Sequence, residues 1–309
     1  MPEKIPLPRE VMGDSFHVRD AAQRGLMRGR AAGKDLQRSF HGIRSAGLDL
    51  DDVRGRCHAF QAVLRENECF SHTTAAMVMR LPLPPRLDHA RPIHVTTVNG
   101  STRRGRGVIG HHSHEAVPTQ MWDGIRITTP VRTWIDLAAL IDTTDLVVVG
   151  DALVAGEHPL CTVEDLAREL READGRRGIT SGRCAVEMIR VGVDSPMETR
   201  LRLVLVDGGL PEPLVNMRYY DAYGSYLGKA DLSYPQWRIV IEYEGDGHRS
   251  DPDQFNEDIR RRERFESAGW SVVRVAKAGV FDHPDETIRV VRDRIALQLR
   301  RRAAETSDR

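Results

Sequence analysis

Residues 238 to 244, Arg-Ile-Val-Ile-Glu-Tyr-Glu, alternate with the period of two that marks a strand. Ile239, Ile241 and Tyr243 therefore share one face, and Val240, Glu242 and Glu244 share the other. A second arm, Lys229 to Tyr234, precedes it across Pro235-Gln236-Trp237-Arg238, so the two predict a hairpin. If Pro235 lies opposite Arg238, Asp231 lies opposite Glu242, with Cβ atoms roughly 5 Å apart. Upstream, Met197, Leu201, Val204 and Leu205 follow helical spacing after Ser195-Pro196, and Gly208-Gly209 supplies a stop. Downstream, Asp253 to Ala268 predicts a charged helix, Trp270 to Val275 a strand and Glu286 to Arg302 a basic helix. The order helix, strand, strand, strand, helix, strand, helix suits an α/β layered domain.

The front of the chain predicts a different architecture. Ser15 to Met27 reads as a helix with Val18, Ala21, Ala22 and Leu26 on one face, and Ala31 to Phe40 as a second. Two short helices joined by a turn, with Arg28, Arg30, Lys34 and Arg38 spread over them, fit a helix-turn-helix. In the middle, Thr129-Pro130 opens a helix with Val131, Ile135 and Leu137 to Leu140 inward, Ser181 to Arg190 predicts a short helix, and Gly107 to Gly110 is strand-like. The polar, Gly-bearing stretch Gly192-Val193-Asp194-Ser195-Pro196 marks a hinge. The expected division is a DNA-binding segment over 1–48, an α/β domain over 49–190, an αβββαβα domain over 191–302 and a disordered tail over 303–309.

Like charges placed opposite each other repel, so Asp231 against Glu242 is destabilising alone. A hard divalent cation removes that penalty, since Mg²⁺ is held by one or two carboxylates with water and phosphate oxygens. The cluster therefore points to metal-assisted phosphodiester chemistry with Mg²⁺ or Mn²⁺. Other roles stand beside this one. Glu198 sits three residues after Ser195 with Pro196 between, which makes a capping box. Glu242 and Glu244 also fit the solvated face of an edge strand. His248 lies in a polar loop.

Composition narrows the picture. The chain has 309 residues, 40% of them hydrophobic, and 45 basic residues balance 45 acidic ones. No stretch approaches the ~18 apolar residues of a membrane span, and residues 2–4 precede no apolar signal core, so a cytoplasmic protein is expected. Positive charge is nevertheless local. Arg289, Arg292, Arg294, Arg300, Arg301 and Arg302 lie on the last helix, and Arg260, Arg261, Arg262 and Arg264 on the one before. Arg261 and Arg274 are the candidates nearest the hairpin for contact with phosphates. Cys57, Cys69, Cys161 and Cys184 are widely separated and form no C-x-x-C pair, so reduced, buried thiols are expected. Cys69 and His72 have ligand-like spacing without a second pair, and His111-His112-Ser113-His114 reads as a solvated strand end. Zinc is not expected.

Two resemblances add to this. Ser195-Pro196-Met197-Glu198-Thr199, Gly209-Leu210-Pro211, Ala230-Asp231-Leu232-Ser233-Tyr234-Pro235, Ile241 to His248 and Gly269-Trp270-Ser271-Val272-Val273-Arg274-Val275 resemble the DUF559 domain. That domain is related to the very-short-patch-repair endonucleases of the PD-(D/E)XK superfamily. The likeness covers about Asp194 to Arg302 and implies that Asp231, Glu242 and Glu198 bind the metal. Glu244 stands where that superfamily usually has lysine; the resemblance makes it a third metal carboxylate and His248 a proton shuttle. Phe70 to Ala76, Ile93-His94-Val95-Thr96 and Ile127 to Ala138 resemble the AbiEi-type antitoxin architecture, in which a winged helix precedes an α/β domain. Two functions follow as expectations. One is a Mg²⁺-dependent endonuclease acting on double-stranded DNA. The other is an antitoxin-like DNA-binding regulator with an inactive nuclease fold, partnered by a toxin or defence protein.

Overall fold

Phe16, Ala21, Leu26, Ala31 and Leu36 are buried at intervals of five residues, and this spacing explains why the front of the chain is not helical. In an α-helix five residues turn the chain by roughly 500°, so successive members would point about 140° apart. The chain instead folds as turns and single 3₁₀ segments that bring each fifth residue inward, where Val11 and Ala46 complete a small core. The computed structural model describes residues 7, 11–27, 29–88, 92–173, 175–245 and 252–307, with backbone alone at 252–255, 302 and 305–307. Ser15–His17 (β1) pairs antiparallel with Ile43–Ser45 (β2). The two helices expected over 15–27 and 31–40 are therefore corrected: one is a strand followed by turns, the other a 3₁₀ turn at Arg30–Ala32 and loop. Gly25 at φ +70° closes the first turn in a conformation that glycine adopts without steric cost.

The chain forms two units. The first comprises residues 1–149 and 161–187, the second 150–160 and 188–309. Beyond β1 and β2 the first contains α1 (Val53–Gln61), β3 (Glu68–Phe70), α2 (His72–Val78), α3 (Pro85–Asp88), β4 (Ile93–Val98), β5 (Arg104–Gly105), β6 (Val108–Ser113), β7 (Thr119–Trp122), β8 (Ile125–Thr128), α4 (Pro130–Leu137), the greater part of α5 (Thr143–Leu153), α6 (Val163–Glu172) and the greater part of α7 (Ile179–Met188). The C-terminal ends of α5 and α7 belong to the second unit. Its mixed sheet runs β5-β6-β4-β3-β8-β7. Pro130 opens α4 at its first turn, where a missing N–H costs nothing. Trp134 is fully buried on α4 and satisfies its indole by donating to the Leu146 carbonyl, at 2.9 Å.

The second unit contains α8 (Pro196–Asp207), β9 (Leu214–Tyr220), β10 (Tyr226–Tyr234), β11 (Ile239–Glu244), α9 (Pro252–Ser267), β12 (Ser271–Ala276), α10 (Lys277–Phe281) and α11 (Pro284–Ser307). The sheet order is β12-β11-β10-β9, antiparallel except for β11 with β12, and α9 supplies the crossover that a parallel pair requires. Apolar alternation covers both faces. Ile239 and Ile241 pack with Leu201 and Leu205 of α8 and Val291 and Ile295 of α11. Val240 packs with Ala230 and Phe265 of α9 on the other side. The hairpin register pairs Leu232 with Ile241, Ser233 with Val240 and Tyr234 with Ile239, and Arg238 closes the turn in a left-handed conformation. The class is mixed α/β. Two boundaries differ from expectation: residues 150–160 join the second unit, and α11 continues through Ser307 where a disordered tail was expected from 303. No described helix is long and apolar enough to cross a membrane.

Candidate functional site

Three of the expected carboxylates, Glu198, Asp231 and Glu242, lie near β10, β11 and the start of α8, where Glu198 and Glu242 both act on the charge of Asp231 although the three do not all bring an oxygen within 4.8 Å of one another. Ser195 caps α8 by accepting from the Glu198 N–H at 3.2 Å. The return half of the box is shifted by one residue, because Glu198 Oε2 accepts from the Asp194 N–H, at 3.1 Å. The same oxygen accepts from the Asn216 side-chain amide at 2.6 Å. Asn216, on β9, holds φ +51°, a left-handed conformation that asparagine tolerates better than most residues. Glu198 is buried in this setting.

The ladder's last recorded pair, Leu232 with Ile241, makes Asp231 and Glu242 the next to face each other. Asp231 Oδ2 there accepts from the Tyr243 N–H at 2.9 Å. Burial pushes the Asp231 carboxyl up to about 6; the Tyr243 N–H and Arg261 oppose the shift, and Glu198 and Glu242 reinforce it. Burial also raises the buried Glu242, opposed chiefly by Arg261, whose Nε lies 3.2 Å from Glu242 Oε1. The outcome is an Asp231 carboxyl that feels the charge of both Glu198 and Glu242 and ionises only from about pH 6 upward.

Other expected residues lie elsewhere. Glu244 is ion-paired with Arg274 beside the parallel β11–β12 pair, and Arg274, opposite Glu242 in the register, also acts on the charge of Glu242. Arg261 serves Glu242 and also reaches Asp258 at 3.4 Å. In the first unit Arg30 makes a two-pronged pair with Asp35, at 2.9 and 2.6 Å, while Lys34 and Arg38 are exposed. His248 and Arg28 fall outside the described residues.

A second cluster was not anticipated. The parallel register of β4 and β6 sets His111 opposite Thr96 and beside His94, and His72 enters from the first residue of α2. His94 Nδ1 and His111 Nε2 are 2.9 Å apart, and the His72 ring stacks on His111 at 3.6 Å between centroids. Burial pushes the His72 imidazole down to about 2 and His94 to about 4, with the neighbouring imidazoles adding to each, and burial also lowers His111. The three rings are therefore neutral near pH 7, each with one ring nitrogen protonated and one not. His111 is thus not part of a solvated strand end, although His112 beside it is exposed. The sequence signal was His94 within Ile-His-Val-Thr-Thr-Val, a polar position on a strand buried on both faces.

Two uncharacterized proteins of Mycobacterium tuberculosis, from strains CDC 1551 / Oshkosh and ATCC 25618 / H37Rv, are each 25% identical to the chain over 183 residues. The match covers 59% of this chain and 66% of each relative, so the chain spans just under two thirds of their length. No family model matches the chain, and no solved structure matches it significantly.

Proposed function

We propose that the second unit is a Mg²⁺- or Mn²⁺-dependent endonuclease domain, akin to DUF559 and the very-short-patch-repair enzymes, and that the protein hydrolyses phosphodiester bonds in double-stranded DNA. The observation that carries this reading is Asp231, a half-buried carboxylate kept within electrostatic reach of Glu198 and Glu242 although its ionisation is opposed there. Such an arrangement costs stability unless a cation is bound, and its all-oxygen donor set suits a hard divalent ion. The element order of the unit, helix, three antiparallel strands, helix, parallel strand, helix, supports the same assignment.

Glu198, Asp231 and Glu242 would hold the ion. When bound, it would polarise the scissile phosphate and acidify a water. The chain's own part is positional. The Asp194 and Asn216 donors fix Glu198, the Tyr243 N–H fixes Asp231, and Arg261 steadies Glu242. Glu244 is assigned to its ion pair with Arg274, and His248 to proton transfer. Lys34 and Arg38 supply phosphate contacts from the first unit, whose Lys/Arg-rich turns replace the helix-turn-helix in this role.

A second reading, a DNA-binding regulator of antitoxin type with a silent nuclease domain, is favoured by one observation: the guanidinium groups of Arg261 and Arg274 can neutralise Glu242 and Glu244 in place of a metal ion. Plasmid nicking separates the two. The full chain should relax supercoiled plasmid with Mg²⁺ or Mn²⁺ and not with a chelator, and Asp231→Ala and Glu242→Ala should abolish it. A folded wild-type chain that binds DNA and nicks it with neither ion establishes the regulator.

A further inference from the structure

We propose that the first unit holds a transition-metal ion of the zinc class on His72, His94 and His111, with one coordination position left to water or an anionic ligand. Among the described residues these three histidines form the one group whose candidate ligand atoms all lie within 4.8 Å of one another. They come from three separate elements, a helix start and two strands, so the grouping is not a by-product of local sequence.

The distances suit an ion. Two imidazole nitrogens, each ~2.0–2.1 Å from a zinc at the tetrahedral angle, are about 3.4 Å apart. His94 Nδ1 and His111 Nε2 lie at 2.9 Å and need separate by only a few tenths of an ångström. His72 must rotate off its stack on His111 to aim an in-plane lone pair at the same point. Its other nitrogen is already committed: His72 Nδ1 meets the Ser71 hydroxyl at 2.9 Å, and Thr96 donates to that hydroxyl at 2.7 Å. Nε2 is therefore the ligand atom.

Two further observations point the same way. Asp136 Oδ2 is buried without a hydrogen-bond partner and lies 3.7 Å from His72 Nδ1. A carboxylate behind the non-ligating nitrogen is the usual support of a metal-bound histidine. Arg132 holds the other oxygen, Oδ1, at 2.8 Å and so fixes the carboxylate's direction. In addition, His72 has φ +52°, a sparsely populated conformation for a residue that begins a helix, of the kind retained where a side chain must be aimed. Nitrogen donors select zinc, copper, nickel or iron over magnesium, so this site is chemically distinct from the carboxylates of the second unit.

The test is zinc binding by the purified full chain. After stripping with a chelator and dialysis against micromolar Zn²⁺, the wild type should retain one zinc per chain. Co²⁺ in its place should give the intense visible bands of a low-symmetry tetrahedral site. His111→Ala, at a partly exposed position, should lower affinity at least ~100-fold, and Asp136→Asn ~10- to 100-fold. His112→Ala and Glu242→Gln should each keep the full zinc content, which separates this site from the carboxylates. Failure of the folded wild type to retain zinc, a Co²⁺ spectrum of the hexaaqua ion, or wild-type affinity in His111→Ala would each overturn the proposal. The cobalt spectrum decides the matter without any variant.

Discussion

Asp231→Asn should make the metal-free protein more stable at neutral pH. The carboxyl rises from 3.8 to about 6 on folding, because burial and two neighbouring acids disfavour its charge. A folded-state value above the unfolded one means that the native state binds the proton more tightly between the two. Stability then falls as pH rises from about 4 through about 6 and is level beyond that. At about 1.4 kcal/mol per pH unit, the charged form costs about 3 kcal/mol at pH 8. Asparagine carries no charge there. Its Oδ1 still accepts the Tyr243 N–H, and its amide can donate to Glu198 or Glu242. Urea unfolding in the presence of chelator should therefore place Asp231→Asn about 3 kcal/mol above wild type at pH 8, or roughly 10 °C in melting temperature. The two should converge near pH 4. Mg²⁺ should then raise the wild type and leave the variant unmoved. Parallel pH curves for the two proteins, or a less stable variant at pH 8, would refute the reasoning.

Three other outcomes are expected. Arg202 is wholly buried and binds Asp151, Glu212 and the Met188 carbonyl, so Arg202→Ala should strand Asp151 and cost about 3–5 kcal/mol in a denaturant melt. Glu244→Ala should lower metal-dependent nicking less than ~10-fold, against complete loss in Glu242→Ala, because Glu242 acts on the charge of Asp231 whereas Glu244 is ion-paired with Arg274. Replacing Lys34 and Arg38 together by alanine should flatten the salt dependence of DNA affinity, by about 0.9 in log–log slope for each phosphate contact removed, with the melting temperature unchanged.

The second unit was largely legible because its signals are local. The period of two in Ile239 to Glu244 and the turn at Pro235 set the register that pairs Leu232 with Ile241. Ser195-Pro196 placed the start of α8, and α9 and β12 fall within a residue or so of their expected limits. The failures are long-range or rest on an unfamiliar period. Residues 150–160 belong with the second unit because Asp151 bonds Thr199 and Arg202, some fifty residues away. The five-residue spacing from Phe16 to Leu36 fits neither helix nor strand, and a search for those two periods alone takes Ala21 and Leu26, with Val18 and Ala22, for one helix face. His72, His94 and His111 escaped because only strand pairing makes neighbours of positions so far apart in sequence. Within the carboxylate group, parity along β11 placed Glu242 and Glu244 together, and the pairing of Arg274 with Glu244 could not be read from β11 alone.

The bond from the Asp194 N–H to Glu198 gives that acid two employments. One is to finish the start of a helix, and a chain with no catalytic task would still need it. If the proposed endonuclease activity holds, a descendant that had lost it would keep Glu198 for the sake of its fold, so the presence of this acid would say nothing about whether a relative is an active enzyme. Asp231 is the opposite case. It makes a bond to the Tyr243 N–H that asparagine would make as well, and it charges the fold for its negative charge. Drift without catalytic demand would remove it early. On the endonuclease reading, the residue at position 231 would therefore be the one that distinguishes a working site from its remnant.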